Sequence, residues 1–209
     1  MQAVIICDGR TPPAEQLLSC VDAAGLFVAA DGGGNRARTL GLTPDVIIGD
    51  LDSYRHVEGE NIPLIHDRDQ ESNDLEKALS YVLQQGAEDV TVFGALGKRL
   101  DHTLKNLSVL KKFHSSFRSL IYIDRYGYLR LLARSERINL KRGTQVSLFP
   151  LSGKVSGIET TGLKYPLSGE SLENGVRDGT SNEATEEAIE IRHRDGDLLI
   201  FIETKEPDK

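Results

Sequence analysis

The first 125 or so residues repeat one rhythm, and it limits what the chain can fold into. A short apolar, β-branched run comes first, then an acidic or glycine-rich turn, then in most cases a helical stretch. The runs are Ala3–Cys7, Phe27–Ala30, Val46–Ile48, Ile62–Ile65, Val90–Phe93 and Leu120–Ile123. Near-continuous apolar strands alternating with helices predict a parallel sheet covered on both faces. The turns that follow the runs are Asp8-Gly9, Asp31-Gly32-Gly33-Gly34, Gly49-Asp50-Leu51-Asp52, Asp67-Arg68-Asp69, Gly94-Ala95-Leu96-Gly97 and Asp124. In a parallel sheet these turns share one edge, at the carboxyl ends of the strands, where open α/β sheets bind ligands.

The helices have legible ends. Pro12-Pro13 opens one that runs to about Ala24, with Gly25 as its stop. A short one spans Asn35 to Leu40. Asn73, with Glu76 three residues on, resembles a capping box, and Leu75, Ala78, Leu79 and Val82 form the apolar stripe of a helix that Gly86 ends. A fourth runs from about Asp101 to Phe113. Past Gly127 the helical periods disappear. Tyr128–Ala133, Arg137–Lys141, Gln145–Phe149 and Val155–Glu159 read as strands, residues 162–183 as turn-rich, and Ala188–His193 and Asp197–Ile202 as a hairpin about Arg194-Asp195-Gly196. The predicted fold is α/β: an N-terminal doubly wound, mainly parallel sheet domain over 1–127, then a C-terminal antiparallel β-sandwich domain over 128–209.

Composition removes several classes of function. A net charge of −7 argues against a broad nucleic-acid surface. It leaves room for an anionic nucleotide, because a bound metal can screen a local acidic site. No apolar run approaches the length of a membrane span. Two cysteines, Cys7 and Cys20, make no disulfide framework, which fits a reducing cytoplasm. The five histidines lack zinc-ligand spacing, and no G-x-S-x-G motif suggests a serine hydrolase.

Four blocks carry candidate chemistry. Asp50 and Asp52 lie two residues apart after a strand, and in an extended segment they point to one side. Like charges that close need a shared proton or a cation, and a hard ion such as Mg²⁺ prefers oxygen ligands. The alternative is a polar loop. Asp74, in the first turn of the capped helix, is either a carboxylate favoured by the helix dipole or a further metal ligand, and Lys77 one turn on pairs with it or reaches a phosphate. Gly94 to His102 is a glycine loop entering a helix, with Lys98 and Arg99 adding positive charge and His102 beside Asp101; it lacks the glycine spacing of a Walker loop. Asp31-Gly32-Gly33-Gly34-Asn35-Arg36-Ala37 matches G-x-G-x-x-A only weakly, and reads as a glycine turn lining the acidic site.

Taken together, these blocks resemble the thiamine pyrophosphokinase family. The carriers are Asp31-Gly32-Gly33, Gly49-Asp50-Leu51-Asp52-Ser53, Asp69-Gln70 with Asn73-Asp74 and Lys77, Gly97-Lys98-Arg99-Leu100-Asp101-His102 with Asn106, Gly162-Leu163-Lys164-Tyr165, and Ser181-Asn182-Glu183. The resemblance implies a homodimer with active sites between subunits, and transfer of the terminal diphosphate of ATP to the hydroxyl of thiamine, giving thiamine diphosphate and AMP. By the same resemblance Mg²⁺ sits on Asp50, Asp52 and Asp74, with Asp101 nearby. Asp31, Gly32, Gln70, Asn73, Lys77, Lys98, Arg99, His102 and Asn106 serve the nucleotide, and Ser181 and Asn182 bind the aminopyrimidine. Either Asp74 or Asp101 takes the hydroxyl proton. The chain departs from the family twice. Asn73 stands where a Thr is usual, and there is no Trp to stack on the pyrimidine, which makes Tyr165 the substitute platform. The rivals are diphosphate transfer to another alcohol such as a hydroxymethyl-pterin, a sugar-nucleotide transferase or aspartyl phosphatase built on Asp50-Leu51-Asp52, and a non-catalytic nucleotide-sensing module.

Overall fold

The apolar runs become strands, and those at the middle of the sheet have almost no solvent contact. In the computed structural model, which describes residues 1–204, the first of two compact units spans Met1–Arg125. It comprises β1 (Gln2–Ile6), α1 (Ala14–Asp22), β2 (Leu26–Ala30), α2 (Gly33–Thr39), β3 (Val46–Gly49), β4 (Leu64–His66), α3 (Asp74–Gln84), β5 (Asp89–Phe93), α4 (Leu100–Phe113) and β6 (Ser119–Ile123). All its strand pairings are parallel: β1 joins β2 and β5, β2 joins β3, β3 joins β4, and β5 joins β6. The order is therefore β6-β5-β1-β2-β3-β4. The chain runs outward from β1 to β4, then returns to the other side of β1 with β5. The carboxyl ends of β1 and β5 thus flank the point where the winding reverses, which is where a doubly wound sheet leaves a crevice.

One core of this unit is built from Val4, Ile6, Leu17, Phe27, Ala29, Ala37, Ile47 and Phe93. Burying an aliphatic or aromatic side chain of this kind contributes about 1.5–3 kcal/mol. α3 forms where the capping pattern predicts it: the Asn73 side chain accepts a hydrogen bond from the Glu76 N–H, and Leu75, Ala78, Leu79 and Val82 are buried. Glu76 is also buried, and ion-paired with Lys105 and Lys112 of α4.

The second unit begins at Tyr126. It contains β7 (Gly127–Leu131), β8 (Ser135–Asn139), β9 (Gln145–Pro150), β10 (Val155–Thr161), β11 (Ser168–Leu172), β12 (Gly179–Glu183), β13 (Ala188–Arg192) and β14 (Leu198–Glu203). Pairing is antiparallel throughout, in the orders β12-β9-β14-β7 and β11-β10-β13-β8. Val146, Leu148, Leu198, Ile200 and Ile202 from the first set share a core with Val155, Ile158, Leu172, Ile189 and Ile191 from the second, so the two sets pack as a sandwich. Among the described residues no helix is long and apolar enough to cross a membrane.

Two sequence expectations are corrected here. The stretch 162–183 contains two strands, β11 and β12; their polar sequences, SGESL and GTSNE, hid them. The predicted hairpin of Ala188–His193 with Asp197–Ile202 does not form. β13 pairs with β8 and β10, whereas β14 pairs with β7 and β9. Arg194-Asp195-Gly196 is a crossover between sheets, fixed because the Arg194 N–H donates to the Ser156 carbonyl and the Arg134 guanidinium donates to the Gly196 carbonyl. The Asp-Gly pair does mark a turn of the chain, but the strands on either side of it find their partners in different layers.

His193 is buried beside that crossover, with Nδ1 3.0 Å from the Arg134 guanidinium. Burial, then the Arg134 charge, pushes its pKa below the ordinary 6.5. The fold therefore holds the ring neutral, while the unfolded chain lets it take a proton. This stability is present above the ordinary histidine pKa and is lost as pH falls through the depressed folded value. Glu136 lies in the same corner. Burial opposes its ionisation, but the Arg130 and Ala133 hydrogen bonds outweigh burial and hold it low, so its contribution is lost in more acid solution. Thermal unfolding followed against pH is expected to show Tm falling between pH 7 and 5, with a shallower fall in His193→Gln. An unchanged slope in that variant would exclude the histidine as its source.

Candidate functional site

Three carboxylates converge at the strand ends of the first unit. Asp31 follows β2 in a left-handed backbone conformation, φ 42°, and its carboxylate oxygens accept hydrogen bonds from the Ser53 N–H at 3.1 Å and the Tyr54 N–H at 3.0 Å. Asp50 follows β3, and its N–H lies 3.4 Å from Oδ1 of Asp74, the first residue of α3. One carboxylate oxygen from each of Asp31, Asp50 and Asp74 lies within 4.8 Å of the others; among the described residues this is the group placed to hold a metal.

Asp52 does not join it. The i, i+2 argument needs an extended segment, but β3 stops at Gly49 and Leu51 adopts φ 61°. That conformation costs a non-glycine residue about 1–2 kcal/mol and turns the chain between the two aspartates. Asp52 is left exposed, accepting from the Ser53 hydroxyl at 2.8 Å. Asp31, read from sequence as a nucleotide contact, takes the third place. The signal that would have found it is positional: it is the first residue after the strand adjacent to β3.

Burial raises the pKa of Asp74, and the neighbouring Asp31 and Asp50 raise it further. Burial likewise raises that of Asp31, against the pull of the N–H groups it accepts from. The cationic neighbour is Lys77, 3.8 Å from Asp74 Oδ1, but its ammonium also donates to the Asp67 carbonyl at 2.9 Å. The donor set is all hard oxygen. A Cβ on Gly49 would fall 2.7 Å from the Asp31 Cβ and 2.8 Å from Asp74 Oδ1, so glycine keeps the space between these carboxylates open. Both features fit a hard divalent cation such as Mg²⁺.

Two of these carboxylates, Asp31 and Asp74, open onto a cleft of about 330 Å³. Asp31 and Asp74 line it, and so do Lys98, Arg99 and His102 at the start of α4. Cys7, Asp8 and Gly94, from the ends of β1 and β5, also line it, at the reversal point of the winding. Burial raises the Cys7 thiol pKa, and Asp74 and Asp8 raise it further, which makes the thiol unreactive. Lys98 pairs with Asp8 at 2.6 Å, a partner the sequence reading did not assign a role. Arg99 pairs with Asp101 at 2.6 Å and holds that carboxyl down to about 2. Asn73 donates to Asn106 at 2.8 Å, and buried Asn106 donates to the Ala95 carbonyl at 2.6 Å, so a chain of amides ties the α3 cap to the glycine loop through α4. Gly32 lines the cleft as well. Gln70 and Lys77 do not line it: Gln70 is exposed and bonds to the Arg68 carbonyl, and Lys77 is buried.

In the second unit, Asn182 is buried with its amide occupied. It accepts from the Tyr165 N–H at 3.0 Å and donates to the Tyr165 carbonyl at 2.8 Å. It holds the Tyr165 backbone, leaving the ring 63% exposed beneath the Lys164 ammonium, which is 5.9 Å from the ring centre. Ser181 sits at a break in the β12 register with φ 59°, and its N–H donates to the Ser147 hydroxyl. Left-handed non-glycine residues of this kind concentrate at functional sites.

Comparison with known proteins bears directly on this arrangement. The sequence model "Thiamin pyrophosphokinase, catalytic domain" matches residues 17–122, and "Thiamin pyrophosphokinase, vitamin B1 binding domain" matches residues 135–198. Thiamine pyrophosphokinase 1 of Oryza sativa subsp. japonica is 31% identical over 229 residues, covering 94% of this chain and 85% of the relative. The chain belongs to the thiamine pyrophosphokinase family. It is accordingly an enzyme of the transferase class, in a family that makes thiamine diphosphate by pyrophosphate transfer. The thiamine pyrophosphokinase of Bacillus subtilis (strain 168) is 26% identical over 172 residues, covering 78% of this chain and 80% of the relative. Two solved structures support the fold. The Bacillus subtilis thiamine pyrophosphokinase superposes with a TM-score of 0.84 at 24% identity, covering 98% of this chain and 99% of that one. The Candida albicans thiamin pyrophosphokinase superposes with 0.88 at 19%, covering 98% and 89%.

The amide chain yields a prediction. Asn73→Ala removes a helix cap, about 1 kcal/mol, and a side-chain hydrogen bond of about 1 kcal/mol. Denaturant unfolding is expected to show a loss of about 2 kcal/mol. Asn73→Ser, which keeps a cap acceptor, is expected to lose about half as much.

Proposed function

We propose that this enzyme transfers the diphosphate of ATP to the hydroxyl of thiamine, releasing AMP, with Mg²⁺ as the required ion. The observation that carries the reading is a single cleft lined both by the carboxylates Asp31 and Asp74 and by Lys98 and Arg99 at the N-terminus of α4. A polyphosphate with a bound cation needs that pairing, because positive groups and a helix N-terminus attract its oxygens while carboxylates attract its metal. The first unit is the ATP- and Mg²⁺-binding catalytic domain in this reading. The second binds thiamine and mediates dimerisation, and the homodimer forms its active sites at the subunit interface. Thiol-only cysteines fit a cytoplasmic enzyme.

Asp50 and Asp74 would hold the ion, with Asp31 beside them; Asp52, outside that group and exposed, would reach the ion only through a turn of the 50–53 segment on binding. Bound there, Mg²⁺ supplies charge neutralisation on the triphosphate oxygens. Arg99 leaves Asp101 for a phosphate oxygen, Lys98 leaves Asp8, and His102, Asn106, Asn73 and Gly32 complete the nucleotide surroundings, while Lys77 acts through Asp74 and Gln70 stays outside the cleft. The thiamine hydroxyl oxygen bonds to the β-phosphorus as the bond from that phosphorus to the α–β bridging oxygen breaks, and AMP leaves with that oxygen. The hydroxyl proton passes to Asp74 or Asp101. While Arg99 holds Asp101 at about 2, Asp101 is a weak base, so its turn as acceptor depends on Arg99 moving to phosphate. Tyr165 offers its exposed face to the pyrimidine in place of a tryptophan, with Ser181 nearby in sequence to the Asn182 that fixes it.

Asp50→Asn tests the reading. With thiamine, ATP and Mg²⁺, AMP release is expected to fall about 10³-fold, the size of several kcal/mol of lost charge stabilisation, while the circular dichroism spectrum is unchanged. Wild-type turnover in this variant would sink the proposed metal set. Faster AMP release with a hydroxymethyl-pterin than with thiamine would overturn the substrate assignment.

A further inference from the structure

The acidic loop has an anchor that the proposed chemistry does not use. Residues 50–63 connect β3 to β4 without helix or strand, and Asp50 and Asp52 lie at their start. A loop of this kind has no ladder to set its conformation, and Leu51 within it is in left-handed backbone, φ 61°. Such strain persists only where surrounding contacts over-determine it. The contacts come from α2. Asn35 donates through Nδ2 to the Ser53 carbonyl at 2.8 Å and accepts through Oδ1 from the Arg55 N–H at 2.9 Å, gripping the loop backbone from both sides. One turn on, Arg38 donates to the Arg55 carbonyl at 2.8 Å and to Oε2 of Glu60 at 2.7 Å. The Tyr54 hydroxyl donates to the same Glu60 oxygen at 2.6 Å, and the Arg38 guanidinium lies 5.6 Å from the centre of the Tyr54 ring. Gly34 makes the close approach possible: a Cβ there would fall 2.9 Å from Cδ2 of Tyr54.

We propose that Asn35 and the Arg38–Glu60–Tyr54 cluster are positioning residues that hold the 50–55 turn so that Asp50 converges with Asp31 and Asp74. The proposal rests on the metal reading of those three carboxylates. None of the four residues belongs to the convergent carboxylate group, and none lines the cleft. Their effect passes through the backbone of Ser53, Tyr54 and Arg55, the same segment whose N–H groups hold the Asp31 carboxylate. Asp31 is thus fixed from the loop side while Asn35 and Arg38 fix the loop from the helix side. Loosening the helix grip lets Asp50 drift and slackens Asp31 at once.

The test measures the ion directly as well as turnover. Mn²⁺ binding is followed by electron paramagnetic resonance with a nonhydrolysable ATP analogue present, and AMP release is titrated with Mg²⁺. Asn35→Ala and Arg38→Gln are each expected to weaken Mn²⁺ binding about 10-fold, the usual effect of removing an outer support of a metal site. The Mg²⁺ concentration for half-maximal rate should rise in parallel, and high Mg²⁺ should recover most of kcat. Arg38→Lys, which keeps charge but not the two-pronged geometry, should recover part of the loss. Asp50→Asn is the control for the site itself. If it binds Mn²⁺ as wild type does, the metal reading fails and the proposal with it. If Asp50→Asn loses binding while folded Asn35→Ala and Arg38→Gln keep wild-type Mn²⁺ affinity and Mg²⁺ dependence, the positioning role alone is overturned. Should thermal unfolding show either variant unfolded, Glu60→Gln, which weakens the Arg38 pair while keeping its shape, is expected to shift the Mg²⁺ dependence in the same direction; no shift there overturns the role.

Discussion

Three carboxylates held within 4.8 Å of one another repel, and the first unit is arranged to keep them together. Each is supplied by a different element: Asp31 by the end of β2, Asp50 by the end of β3, Asp74 by the first turn of α3. Neighbouring parallel strands bring the first two side by side, and the helix N-terminus offers the third a favourable dipole. N–H groups of the acidic loop neutralise part of the Asp31 charge. Burial raises the pKa of Asp74, the remaining repulsion from Asp31 and Asp50 raises it further, and a divalent cation would relieve that repulsion. In the proposed reading Lys98 and Arg99 answer the same need, because a cation carrying a polyphosphate brings more negative charge than it cancels.

Much of this was legible in the sequence because it rests on periodicity. Continuous apolar runs gave the parallel strands, Asn73 and Glu76 marked the start of α3, and glycines and acids after each strand gathered the site at one edge. The membership of the acidic group was not legible. The choice of Asp31 over Asp52 depends on Leu51 adopting φ 61°, and nothing in a leucine announces a left-handed turn. The occupation of Lys77 by the Asp67 carbonyl was hidden for a similar reason, since it depends on where a loop carbonyl points.

Side-chain amides show how far roles can differ from residue type. From the sequence, Asn106 and Asn182 read as ligand contacts, Asn73 as a helix cap and nucleotide contact, and Asn35 as the start of a short helix. In the structure each amide serves the backbone or another amide: Asn73 caps α3, Asn106 holds the Ala95 carbonyl, Asn35 grips the acidic loop, and Asn182 holds Tyr165. An amide carries a donor and an acceptor a fixed distance apart, so it can replace a missing strand neighbour where the chain leaves a sheet. The loops around both candidate regions therefore gain definition without regular structure.

The crossover at Arg194-Asp195-Gly196 bears on how the second unit is synthesised. β14 lies between β9 and β7, so residues 198–203 fill a central place in a sheet whose other strands come earlier in the chain. Until β14 arrives, β7 and β9 present unpaired edges to each other, and Val146 and Leu148 lack their neighbours Leu198, Ile200 and Ile202. A nascent chain stalled before residue 198 would carry an open sheet with an aggregation-prone gap. Closing it requires pairing across long sequence separation, a slow step compared with forming the local hairpins. β14 thus acts as a key that reaches the sheet only after the seven other strands of the second unit have been made.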